Sequence, residues 1–314
     1  MTKPVVERSQ GLAAPGADHA DVQAVAPARS LWADAWYAMR RRPLFWVAVV
    51  LVGLFVVMSI VPGLFTSKDP GYADLMKRAL PPSSEAIFGY DLQGYDVFAR
   101  CVYGARASIL VGIGTALATA VLGSILGTIA GSVGGWLDAV LSRLTDIVFA
   151  IPLLLGAIVI MFTFPLPTNA PYLVVVGRVV LAVALLGWPN TFRIMRSSVM
   201  QVKPLEYVQA ARALGAGPLR IAWSHIVPNS MAPVIVVATI NLGVYIAVEA
   251  TLSYLGIGLQ PPVISWGIAI SDASAYIRNA PHMLLFPSLF LSVTVLAFIM
   301  LGDVVRDALD PKLK

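Results

Sequence analysis

Charge is scarce in this sequence. Asp, Glu, Lys and Arg make up 12% of the 314 residues and hydrophobic residues 58%, whereas water-soluble domains run at roughly 25% charged and roughly 45–50% apolar. That imbalance excludes a disordered polymer, a fibrous repeat and an ordinary soluble enzyme. Mean hydropathy is +0.80, and apolar surface in such excess needs lipid to cover it, so the chain reads as an integral membrane protein.

Other absences narrow the chemistry. A single cysteine, Cys101, excludes an internal disulfide and a thiolate metal cluster. The three histidines, His19, His225 and His282, lie too far apart for a local metal motif. The six lysines follow Thr2, Ser67, Met76, Val202, Pro311 and Leu313, never a glycine, so the Gly-Lys-Ser/Thr loop that cradles nucleotide phosphates is missing. No triad or paired-carboxylate pattern stands out, and no secretory signal peptide is visible. The charge of +5 and pI of about 9.4 point to no nucleic acid here, because in a membrane chain the placement of Lys and Arg governs their meaning.

Roughly 20 apolar residues cross a hydrocarbon core about 30 Å thick. Six stretches qualify: Leu44–Phe65, Ala107–Ala130, Leu144–Phe164, Pro171–Trp188, Ala232–Ile257 and Met283–Gly302. With the amino terminus inside, inner segments hold 15 of the 22 Lys and Arg and outer segments six, which the positive-inside rule favours. Six helices with both termini cytoplasmic are expected. Residues 1–30 read as a disordered tail, 31–65 as an interfacial helix plus the first span, and 66–106 as an extracytoplasmic loop. Residues 107–302 read as a five-helix core with an inner loop at 190–230, and 303–314 as a cytoplasmic tail. In the interfacial helix, Trp32, Trp36 and Tyr37 suit the membrane boundary and Arg40, Arg41 and Arg42 suit anionic headgroups; the alternative, and the plainer reading, is a topology anchor. Gly123, Gly127, Gly131 and Gly135 recur every four residues, a spacing that makes a close-packing helix face.

Three spans carry charge: Asp146, Arg178 and Glu249. A charge at mid-membrane costs about 2.5–3.5 kcal/mol on insertion scales, so each needs a partner or water. Glu249 and Arg178 fall in the outer halves of their spans and can pair; alternatively Glu249 accepts hydroxyl or backbone hydrogen bonds while Arg178 reaches outward. Asp146 is placed to neutralise Arg143.

The inner segment Asn190–Ser230 is too long for a turn. Pro204 to Leu214 reads as a short polar helix, with Pro204 in its first turn, Glu206 complementing the dipole and Gly215 ending it. Pro218 opens a second short helix that Pro228 limits. Small Ala210 and Ala211, ringed by Glu206, Arg212 and Arg220, fit either a knob that docks into a partner or a hairpin that braces the loop.

Gln209-Ala210-Ala211, then Gly215, then Val227-Pro228, resembles the EAA loop of ABC importer permeases, with Gln209 where the family has Glu. Tyr207 to Ala216 with His225 to Asn229 is similar to its dipeptide/oligopeptide (nickel) subgroup. Phe88 to Arg100 with Tyr103 to Ser108, Leu252 to Pro262 with Ser265-Trp-Gly267, and Leu301 to Pro311 resemble the C-type permease of peptide importers, with Tyr90 and Tyr95 departing from the family's Thr and Arg. The resemblance implies a type I ABC importer permease fold in the bacterial inner membrane. It also implies a coupling helix contributed by Glu206, Tyr207, Gln209, Ala210, Ala211, Arg212, Gly215 and Arg220. The implied partners are a B-type permease, two ATPase subunits that carry ATP and Mg, and an extracytoplasmic substrate-binding protein; no cofactor is implied in this chain. Peptides are the implied cargo, with nickel or glutathione as alternatives. A standalone secondary carrier and a membrane scaffold are the readings from other classes.

Overall fold

The computed structural model describes residues 31–167 and 169–309, and what is described is helical, without a strand. The expected disordered tail at 1–30 and residues 310–314 lie outside the described residues. Helix α1 (Leu31–Arg40) meets α2 (Pro43–Ile60) at an elbow. Pro43 sits where the first helical turn has no use for an N–H, and Val61-Pro62 ends the helix.

Helix α3 (Val97–Val133) is 37 residues long, about 55 Å at 1.5 Å per residue, far more than a bilayer core needs. It begins ten residues before the expected span, so the outer loop shrinks from 66–106 to 66–96. Arg100 and Arg106 had marked that stretch as loop. Instead Asp96 caps the helix by accepting from the Ala99 N–H at 2.9 Å, and Arg106 donates to the Ser59 and Ile60 carbonyls at 3.0 and 3.1 Å. A cation there completes the carboxyl end of α2.

The expected continuous span Leu144–Phe164 is broken. Helices α4 (Gly135–Phe149) and α5 (Leu153–Thr163) meet at 86°, because Pro152 lacks the N–H that would continue the ladder. Helix α6 (Tyr172–Val202) outruns its expected end at Trp188 and passes through Pro189. Helices α7 (Glu206–Ala213) and α8 (Pro218–Ile221) follow, and a π-helical turn at Ala222–Ile226 joins α8 to α9 (Val227–Tyr254). The inner loop is therefore 203–226 rather than 190–230. Pro228 does not stop a helix; it occupies the first turn of α9. Helix α10 (Trp266–Ala273) precedes α11 (His282–Leu309), which absorbs 303–309 from the expected tail. Five helices are long and apolar enough to span a membrane, six if the bent pair counts as one crossing.

α3 is the central post, packed against α6, α9 and α2. Its parallel contact with α6 is backbone-close. A Cβ on Gly123 would lie 2.6 Å from Thr191 Cβ, on Gly127 2.8 Å from Met195 Cβ and the Phe192 carbonyl, and on Gly131 2.8 Å from Val199 Cγ1. Gly135 does not join this face. It lies beyond the end of α3 with φ +62° and no neighbour within 4 Å, serving the turn into α4. Large apolar side chains such as Val50, Leu117, Leu181 and Leu289 point outward, as lipid-facing surface should.

This packing makes a direct comparison possible. Gly127→Ala is expected to destabilise the protein by about 1–3 kcal/mol through overpacking, read as a lower melting temperature in detergent. Gly177→Ala, with nothing within 4 Å of its Cβ, is expected to leave the melting temperature unchanged or slightly higher.

Candidate coupling site

Helix α7 has eight residues, too few to hold itself together in water, so its shape comes from its ends and its one buried contact. Pro204 lies in the turn before the helix rather than in its first turn, and Leu205 is the N-cap. Glu206 opens it with negative charge, as the dipole favours. At the other end Gly215 adopts φ +82°. The Gly215 N–H donates to the Arg212 carbonyl at 3.0 Å and the Ala216 N–H to the Ala211 carbonyl at 3.1 Å, the paired closure of a Schellman ending.

Val208 is the only residue of α7 that is buried. It enters a cluster with Met195, Val199 and Val202 of α6, Ile221 of α8, Ile226 of the π turn and Val234 of α9. Full burial of a valine stabilises by about 1.5–3 kcal/mol, enough to seat a short helix on the junction of two membrane helices. Everything else in α7 faces out. Glu206, Tyr207, Gln209, Ala210 and Arg212 are exposed, as are Gly215 and Arg220 beyond it, and Ala211 is half-buried. Around them stand Leu214 at 88%, Leu219 at 75% and Trp223 at 67% exposure. Glu206, Arg212 and Arg220 form no ion pair among the described residues. The face therefore combines bare apolar side chains with unused charges of both signs.

A cleft of about 500 Å³ opens beside α7, lined by Gly131, Gly134, Asp138, Met200, Lys203, Gln209 and Arg212 among others. Polar contacts across it tie the elements together. Lys203 Nζ donates to the Ser132 carbonyl at 2.7 Å and lies 3.5 Å from that of Gly131, placing a cation on the carboxyl end of α3. Arg196 grips Asp138 of α4 with two bonds, at 2.5 and 2.6 Å. Asp146 is on α4 and half-exposed; it takes Arg193 at 2.9 Å and Arg143 only at 3.7 Å, so its principal partner is not the expected Arg143.

Sequence reasoning passed over Val208, Lys203, Arg196 and Asp138. The signal was a spacing: Arg193, Arg196 and Lys203 fall on one flank of a helix that was expected to end at Trp188.

The other two membrane charges do not pair. Glu249 is fully buried, and its Oε1 accepts from Ser253 Oγ at 2.7 Å. The same hydroxyl oxygen accepts from the Leu259 N–H at 3.0 Å. Arg178 Nη2 donates to the Gly258 carbonyl at 3.4 Å. Both side chains thus brace the turn that follows α9, from different sides. Of the two arrangements open from sequence, the hydroxyl-bonded glutamate is the one present.

A helical bundle whose crossings surround one central helix, with a short helix projecting from one end, describes a multi-pass membrane protein. The chain belongs to the family of binding-protein-dependent transport system inner membrane components, whose model matches residues 123–314. Residues 30–82 match the N-terminal TM domain of oligopeptide transport permease C. The chain is 38% identical over 285 residues to the oligopeptide transport system permease protein OppC of Bacillus subtilis, covering 91% of each. It is 37% identical to the dipeptide transport system permease protein DppC of Alkalihalophilus pseudofirmus, again over 91% of each chain. The glutathione transport system permease protein GsiD of Pectobacterium atrosepticum is 36% identical, over 91% of this chain and 93% of its own. The protein is an inner-membrane permease subunit of an ABC importer, and its relatives are permeases rather than enzymes.

Lys203→Met is expected to uncap α3 and lower stability by about 0.3–1 kcal/mol, up to about 2 because the site is partly buried. The readout is thermal melting in detergent, and Lys203→Arg is expected to keep most of the wild-type value.

Proposed function

We propose that the chain forms half of the translocation pathway of an ATP-driven importer of di- or oligopeptides, with α7 as its coupling helix. The loop 203–226 and both termini face the cytoplasm, a placement supported by the excess of Lys and Arg on that side. α7 sits in a cleft of an ATPase subunit. Its exposed apolar and charged face supports this, with Ala210 and Ala211 small enough to allow close approach. Gln209 supplies an amide where relatives of this pattern have a carboxylate, so the contact there is a neutral hydrogen bond. A related B-type permease completes the pathway, two ATPase subunits bind ATP and Mg and carry out hydrolysis, and an extracytoplasmic binding protein delivers cargo.

The observation that carries this reading is the seating of Val208. Because it enters a cluster shared by α6, α8 and α9, a push on α7 reaches two membrane helices at once. Nucleotide binding draws the ATPases together, favours one arrangement of the coupling helices, and shifts the bundle between inward- and outward-facing states through those differential contacts.

Ala210 is exposed in α7, so Ala210→Asp leaves the fold alone and places a charge in the docked face. An unpaired charge there costs several kcal/mol. The expected result in reconstituted vesicles is continued ATP hydrolysis with peptide uptake reduced by about tenfold or more; wild-type uptake removes α7 from the coupling role.

Peptide cargo is supported by the oligopeptide and dipeptide relatives, and glutathione, itself a tripeptide, by the 36% identity to a glutathione permease. Isolating the native complex and identifying the ligand on its binding protein separates them: a mixed peptide population supports the first and a single glutathione species the second.

A further inference from the structure

The elbow between α1 and α2 is held by several aromatic and polar contacts. Trp36 packs edge-on against Phe45 at 5.8 Å, and Phe45 against Trp46 at 5.3 Å. The Trp46 indole N–H donates to the Arg40 carbonyl at 3.0 Å, closing the end of α1. Arg42 forms an ion pair with Asp307 and so fastens the elbow to α11. The two remaining arginines are gathered at one ring. The Arg40 guanidinium lies 4.9 Å and the Arg41 guanidinium 4.0 Å from the centre of the Tyr37 ring, and Arg41 Nη2 also donates to the Tyr37 hydroxyl. Both are exposed, and neither is within 4.0 Å of a carboxylate among the described residues.

Depth follows from α2. Leu44, Val47, Val50, Leu54, Val57 and Ile60 are all exposed and recur at three- and four-residue steps, a lipid-facing stripe. Eighteen residues span about 27 Å, close to the hydrocarbon core of about 30 Å. The amino end of α2 therefore sits at a headgroup boundary, where half-exposed Trp36 and Trp46 are at home. Two exposed guanidiniums with no carboxylate partner among the described residues leave positive charge unneutralised here, and at this depth the abundant anion is a lipid phosphate.

We infer that the α1–α2 elbow binds an anionic phospholipid, its phosphate held by Arg40 and Arg41 and its acyl chains laid along the α2 stripe between Trp46 and Val50. The site is independent of the coupling reading. Because Arg42 fixes the elbow to α11, the lipid is held against the bundle rather than against a loose tail.

The test is native mass spectrometry of the full-length chain, extracted with its associated subunits from nanodiscs of phosphatidylcholine and phosphatidylglycerol. Wild type is expected to retain phosphatidylglycerol preferentially. An Arg40→Gln/Arg41→Gln double variant is expected to bind it about thirtyfold more weakly, as loss of two surface cations implies, with phosphatidylcholine retention unchanged. Arg40→Lys/Arg41→Lys is expected to keep most of the preference. Equal phosphatidylglycerol retention in wild type and the Gln variant overturns the site. So does parallel loss of both lipids, which marks the arginines as structural, or the absence of any preference in wild type.

Discussion

The rest of this structure depends on how closely α3 and α6 approach. A membrane interior offers no hydrophobic drive for one helix to prefer another over lipid, so association relies on packing and hydrogen bonds. Gly123, Gly127 and Gly131 remove three side chains from one face of α3, and α6 fills the space with Thr191, Met195 and Val199. Two parallel helices packed this closely along their length form one structural unit. The end of that unit is where Lys203 leaves α6 and returns to the carbonyls of α3, and where the loop 203–226 starts. α7 is thus seated at the end of a closely packed pair of helices, and the bend at Pro152 lets α4 and α5 follow a different course.

Polar contacts reinforce that end of the bundle. Asp138 and Asp146 stand on α4, and α6 answers with Arg196 and Arg193. Near the opposite end, Glu249 and Arg178 hold the turn after α9 by separate hydrogen bonds. Each of these charges thus has at least one local hydrogen-bond partner.

Much of this was legible one element at a time. The apolar runs located the five continuous crossings, because a hydrocarbon core demands about 20 consecutive apolar residues whatever the fold, but not the bend that breaks Leu144–Phe164. Gly215 announced the end of α7, because a left-handed residue there needs no Cβ. Boundaries were less legible. Arg100 and Arg106 looked like loop and are helix: Arg100 pairs with Asp91 in the loop just before α3, and Arg106 finds its acceptors on α2. Pro228 looked like a limit to a helix and is not, since it falls in the first turn of α9. The fourth glycine continued the spacing but not the helix.

Composition and order alone determined that the chain lives in a membrane, that it lacks a nucleotide-binding loop, and that its most unusual segment is a short polar helix outside the lipid; these follow from local chemistry that no folding can change. Only the tertiary structure decided which helices touch, that Val208 seats α7 on both α6 and α9, that Arg193 takes Asp146, and that Glu249 and Arg178 stay apart. Those outcomes turn on distances between residues remote in the chain, and such distances exist only once the helices have packed.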